Sequence, residues 1–97
     1  MAKYVMLLNW TDQGIRGAKQ TVERARAGRE AFAKLGAELV DIWWTVGSYD
    51  VVCIVEAPDD ETLARAGLAL GMLGNVRSTT LRAFDEGEMT GILKGLP

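Results

Sequence analysis

The sequence predicts an α+β fold, a βαββαβ two-layer sandwich, and three observations carry that prediction. Three short apolar runs, near residues 3–10, 38–46 and 51–57, and a fourth, mixed and more polar run near 75–84, hold the β-branched and aromatic residues typical of strands. Two longer stretches, after the first and third runs, repeat their apolar residues at helical spacing. Only Gly47-Ser48-Tyr49-Asp50 separates the second run from the third, which leaves room for a hairpin turn and nothing more. A chain of 97 residues makes one domain. Right-handed crossovers then place both helices on one side of an antiparallel sheet with the first and third strands central, the ferredoxin-like arrangement.

Each element has its own signal. Lys3 to Trp10 is an apolar run bounded by turn residues and too short for a lone helix, and Thr11-Asp12-Gln13-Gly14 supplies the turn. From about Ile15 or Gly17 to Leu35, the residues Val22, Ala25, Phe32 and Leu35 share one helical face, and Gly36 suits the C-terminal end. Gly28 falls on the same stripe, where it weakens the helix by about 1 kcal/mol relative to Ala and would permit close approach to the sheet. Glu38–Val46 and Val51–Ala57 form the hairpin, and Pro58 stops it. Asp59-Asp60-Glu61 load the next helix's first turn with the negative charge its dipole favours; Leu63, Gly67 and Leu70 mark its buried side. Gly71 and Gly74 end that helix, Asn75–Phe84 is the fourth strand, and Asp85-Glu86-Gly87-Glu88 is an acidic step. Residues 1–88 are therefore assigned to the domain and 89–97 to a C-terminal tail.

Composition narrows the function classes. With 48% hydrophobic and 25% charged residues the chain is globular, and a net charge of −2 argues against nucleic acid as a partner. The apolar stretch at the N-terminus is too short to span a bilayer and no small-residue cleavage site follows it, so the expectation is a cytoplasmic protein without a membrane role. Absence of histidine excludes histidine-based zinc sites and triads. Neither a G-x-x-x-x-G-K-[ST] loop nor a G-x-G-x-x-G turn is present, and no cofactor or metal is expected. Cys53 lies inside an apolar strand and is read as a buried, inert thiol.

The central strands are apolar on both sides. One side of the first strand offers Tyr4, Met6, Leu8 and Trp10, the other Val5, Leu7 and Asn9; the third strand sets Val51, Cys53 and Val55 against Val52, Ile54 and Glu56. Helices cover one sheet face only, so the other calls for a cover of its own. Either the tail folds back over it with Met89, Ile92, Leu93 and Leu96, or a second copy of the chain packs there; the expectation is a homodimer or higher homo-oligomer.

Five residues are candidates for binding a small ligand: Trp10, Asp12, Trp44, Tyr49 and Arg77. Trp43 and Trp44 are adjacent on a strand and point to opposite faces, one toward core or pocket and the other toward the open side. Asp12 caps the first helix or serves as a base at a pocket mouth. Tyr49 shapes the hairpin turn or donates to a ligand. Arg77 and Arg82 alternate across the last strand, so one of them at most reaches a shared cavity, while the other guards a sheet edge. The first helix carries Arg16, Lys19, Arg24, Arg26, Arg29 and Lys34 against Glu23 and Glu30, read as a solvated surface that the acidic step complements.

The segment from Gly47-Ser48-Tyr49-Asp50 through Val51-Val52-Cys53-Ile54-Val55-Glu56-Ala57-Pro58 to Glu61 resembles the signature of the GYD-domain family. Leu8-Asn9-Trp10-Thr11-Asp12-Gln13-Gly14 and Gly74-Asn75-Val76-Arg77-Ser78-Thr79-Thr80 resemble it too, in the same order, so the likeness runs from about Lys3 to Glu88. The resemblance implies a ferredoxin-like fold related to dimeric α/β-barrel proteins, and it supplies no catalytic residues. Two functions are expected in consequence. The first is a homo-oligomeric module that binds a small molecule or a partner protein. The alternative is a cofactor-independent enzyme of the dimeric α/β-barrel type acting on a small carbonyl or aromatic metabolite, with Tyr49, Asp12 and Arg77 in acid–base and anion-stabilising roles.

Overall fold

The computed structural model describes residues 1–97. Strand β1 (Ala2–Trp10) leads through a short helix α1 (Asp12–Arg16) and a 3₁₀ turn (Ala18–Gln20) into α2 (Thr21–Lys34). The hairpin strands β2 (Glu38–Trp44) and β3 (Val51–Ala57) follow, then α3 (Asp60–Met72), β4 (Val76–Ala83) and α4 (Glu86–Leu93). The sheet order is β2-β3-β1-β4 and every pair is antiparallel, with the first and third strands central as the sequence predicts.

Strand alternation builds the core. Tyr4, Met6 and Leu8 pair with Val55, Cys53 and Val51, and their side chains meet Phe32 of α2 and Leu63 and Ala66 of α3. Met6, 1% exposed, sits at the centre. The Tyr4 hydroxyl donates to the Asp60 carboxylate at the start of α3, so burial, and then this bond, push the phenol pKa to about 12. Burial likewise lifts the Cys53 thiol to about 11, which keeps it protonated and unreactive.

The predicted single first helix is divided. The Thr11 hydroxyl accepts from the Gly14 N–H at 3.1 Å and caps α1, and α1 ends at Gly17 before α2 begins. Val22, expected on the buried stripe, is 47% exposed, while its neighbour Thr21 faces inward and is half-buried. Gly71 lies inside α3 rather than ending it; Gly74, at φ +85°, makes the turn beyond it.

The second face of the sheet is uncovered. Strand register aligns two rows across it, Trp43–Val52–Leu7–Thr79 and Asp41–Ile54–Val5–Leu81. Trp43 is 51% and Leu81 49% exposed, and Val52, Leu7, Ile54 and Val5 between them are half-buried by their neighbours alone. The tail does not fold back. Residues 86–93 form α4, which buries none of its side chains; Met89, Ile92, Leu93 and Leu96 are all exposed. A radius of gyration of 14.5 Å exceeds the roughly 12.5 Å of a compact chain this long, and the longest extent reaches 51 Å. A nine-residue strand spans only about 30 Å, so the chain reaches well beyond the sheet.

What reads in sequence as an acidic step is a helix cap. The Asp85 carboxylate accepts from the Glu88 N–H at 2.8 Å and the Glu88 carboxylate accepts from the Asp85 N–H at 3.1 Å, a capping box. Lys3 reaches both acids, at 3.2 and 3.3 Å, and ties α4 to β1. The Glu88 N–H and then Lys3 hold Asp85 below the usual carboxylate range, and the Asp85 N–H does the same for Glu88. Carboxylates lowered in the folded state contribute above their unfolded pKa, about 4, and lose that contribution as pH falls through the folded values. Lys3, raised by Asp85 and Glu88, contributes below 10.5 and loses that contribution as pH rises through its higher folded value. Amide exchange is therefore expected to show α4 fraying below about pH 4, and again at strongly alkaline pH, while β1 and β3 stay protected. Protection in α4 that does not change across these ranges contradicts the assignment.

Candidate functional site

On the covered side of the sheet, α2 and α3 do not close on each other. Between them lies a cavity of about 420 Å³, and of its lining residues Trp44 is 41% and Leu73 64% exposed. Leu8, Ile42 and Val51 form its floor, and Trp10, Phe32 and Trp44 add aromatic walls. The opening follows from α2's small residues. Ala25, Gly28 and Ala31 line it where longer side chains would fill it. A Cβ built on Gly28 meets nothing within 4 Å. The close helix-to-sheet approach expected from Gly28 is thus replaced by open space.

Three polar residues interrupt the apolar lining, and the turn after β1 is bolted to the turn before β4 beside them. The Thr11 N–H donates to the Asn75 carbonyl at 3.1 Å and its hydroxyl to the Gly74 carbonyl at 2.5 Å. Gln13 Nε2 donates to the Leu73 carbonyl and to Asn75 Oδ1, both at 2.9 Å. Arg24 Nη2 donates to the Gly14 carbonyl at 3.1 Å, and Trp44 Nε1 donates to Thr21 Oγ1 at 2.9 Å. Thr21, Arg24 and Asn75 all line the cavity, with Thr21 and Arg24 one turn apart on α2. No Asp, Glu, His, Lys, Cys or Tyr lines it.

The hairpin turn braces the same region. Asp50 donates its N–H to the Leu8 carbonyl at 2.9 Å and accepts from the Trp10 N–H through Oδ2 at 2.8 Å. Thr45 closes the turn, donating its N–H to the Asp50 carbonyl at 2.9 Å and its hydroxyl to the Tyr49 carbonyl at 2.6 Å. Asp50→Ala leaves the Trp10 N–H without its acceptor, and a loss of about 1–3 kcal/mol in denaturant unfolding is expected. Asp50→Asn retains an acceptor oxygen and recovers part of the loss; equal stability of both variants with the parent would deny Asp50 this role.

Of the five candidates, the fold brings Trp10 and Trp44 together at the cavity. Asp12 is exposed at the first position of α1, and the residue that caps this helix is Thr11. Tyr49 is half-buried in the hairpin turn, and Arg77 is exposed opposite Asn9 at the β4 edge, beside a shallower groove along α3. None of these three lines the cavity. Sequence reasoning misses Thr21 and Asn75 and takes Arg24 for solvated charge. Their only sequence signal is Thr21 and Arg24 at helical spacing, and an Asn after the Gly that ends α3. No three His, Cys, Asp or Glu side chains gather as metal ligands, and no helix is long and apolar enough to cross a membrane.

The sequence pattern of the GYD domain matches residues 4–93. A Thermus thermophilus protein named glutamine synthetase and cystathionine beta-lyase binding protein is 33% identical over 95 residues, 97% of this chain and all of that one. TTHA0845, a solved structure also from Thermus thermophilus, superposes with a TM-score of 0.58 at 26% identity, covering 88% of this chain and 95% of that one. MtbAldR (Rv2779c) superposes at 0.68 with 16% identity over 88% of this chain. This chain covers 52% of MtbAldR, about half its length, and the likeness is one of fold.

Proposed function

The chain belongs to the GYD domain family, and from that premise we propose that it is a homo-oligomeric module that binds other proteins, built as a dimer of the α/β-barrel type with the open sheet faces meeting. The observation that carries this reading is the uncovered pair of rows centred on Val5, Leu7, Val52 and Ile54. Burying a large apolar side chain contributes about 1.5–3 kcal/mol, and two such faces brought together remove both from water. The exposed Met89, Ile92 and Leu93 of the projecting α4 then reach a neighbouring chain. The Thermus thermophilus relative carries a name that records binding to two enzymes, which supports protein partners of that kind. A cavity without any carboxylate, imidazole, thiol, amine or phenol to move a proton favours binding over turnover.

Light scattering at micromolar concentration is expected to give at least twice the 10.6 kDa of one chain. A uniform single-chain mass would end the assembly. Titration against purified glutamine synthetase and cystathionine beta-lyase is expected to show binding to at least one, and silence with both would remove these partners.

A further inference from the structure

We propose that the cavity between α2 and α3 is a binding site for one small, ring-bearing apolar molecule that carries a carboxylate or similar oxyanion at one end. Its volume of about 420 Å³ falls in the range of small-molecule sites, roughly 300–1,000 Å³. Its body is apolar, and Trp10, Phe32 and Trp44 offer ring faces and edges against which a planar ligand packs. Space is kept open at Gly28, where an added Cβ would meet nothing within 4 Å.

The polar groups define the ligand's chemistry, because Arg24, the one charged side chain in the lining, is a donor only and keeps N–H groups free beyond its single hydrogen bond. Arg24 pairs with no carboxylate, and its one hydrogen bond goes to the Gly14 carbonyl. Thr21 Oγ1 already accepts from Trp44 Nε1, which leaves its O–H to donate. Asn75 Oδ1 already accepts from Gln13 Nε2, which turns its NH₂ into a donor without a partner in the chain. One cation and no acidic residue line the cavity. Arg24 is held at the Gly14 carbonyl, which lies against Asn75, so the two donors are neighbours and an oxyanion there gains a charge-assisted bond that a neutral hydroxyl does not. The site lies on the side of the sheet opposite the proposed dimer surface and does not depend on it.

Calorimetric titration of the full chain with 2-naphthoate and with its neutral counterpart, 2-naphthalenemethanol, tests the proposal. Naphthoate is expected to bind about tenfold or more tightly than the alcohol, the ratio of a charge-assisted to a neutral hydrogen bond. Arg24→Gln is expected to erase that preference, bringing naphthoate's affinity down to that of the alcohol. Gly28→Leu fills the space and is expected to weaken both probes about tenfold without lowering the melting temperature, since Leu is the better helix former. Should Gly28→Leu melt lower, Ala25→Leu makes the same test one turn earlier. Equal affinity for the two probes, undiminished binding in the filled variant, or no binding at millimolar concentration overturns the proposal. So does a change in assembly mass in Gly28→Leu, which would give the cavity to a neighbouring chain instead.

Discussion

Gly14→Ala is expected to lower the melting temperature by about 15 °C, from a loss near 3 kcal/mol at about 4–8 °C per kcal/mol in a domain this small. Helix propensity alone predicts the opposite, since Ala in a helix gains about 1 kcal/mol over Gly. Packing decides the sign. A Cβ on Gly14 lies 1.9 Å from the Asn75 carbonyl oxygen and 2.9 Å from its carbon, both backbone atoms that no rotamer change can move. Relief requires the turn after β1 to lift from the turn before β4, at the expense of the Thr11 and Gln13 bonds that join them. Gly71→Ala, in α3 with nothing within 4 Å, is the matched control and is expected to stabilise by about 0.5–1 kcal/mol. Thermal melts that show Gly14→Ala unchanged would mean the two turns are not in contact.

Leu7→Asp is expected to convert the assembly to single chains. Leu7 sits between Val52 and Thr79 in the middle of the open face. It is only half-buried in one chain, so the isolated fold tolerates a carboxylate there with a modest loss. Against a second copy the same carboxylate is buried without a partner, at a cost of about 3–5 kcal/mol, or roughly a thousandfold in the dissociation constant. Light scattering is expected to fall to 10.6 kDa while the circular dichroism of the fold is retained. A variant that keeps the parent's mass would place the subunit contact elsewhere, on α4 or a sheet edge.

Much of the fold is legible because strands with one buried face announce themselves by alternation. Tyr4, Met6 and Leu8 against Val51, Cys53 and Val55 determine both the register and the covered side. The hairpin and the helix order follow from local turn chemistry. Features that depend on residues distant in the chain are hidden. Gly14 reads as a turn glycine, yet its role is set by Asn75. Gly28 on an apolar stripe looks the same whether the helix is pressed to the sheet or held above a void, so the stripe does not disclose the cavity. Arg24 among five other basic residues of the first helical stretch carries no mark that it turns inward to Gly14. The fourth helix is a different kind of omission, for the spacing of Asp85 and Glu88 is a capping signal present in the sequence. Asp12, Tyr49 and Arg77 have apt chemistry at loop and strand ends, and only the paths of α1, the hairpin turn and β4 show that they fall outside the cavity lining.

Trp43 and Trp44, side by side and facing opposite ways, give the molecule two optical channels. Reduced to Trp43 alone by Trp10→Phe and Trp44→Phe, the chain has emission that shifts to the blue when the outer rows are sheltered and stays silent to events beneath the helices. Reduced to Trp44 alone, it reverses that sensitivity, because the indole beside Thr21 forms part of the chamber's wall. Two recordings of light from neighbouring residues thus distinguish self-association from occupancy with no label attached.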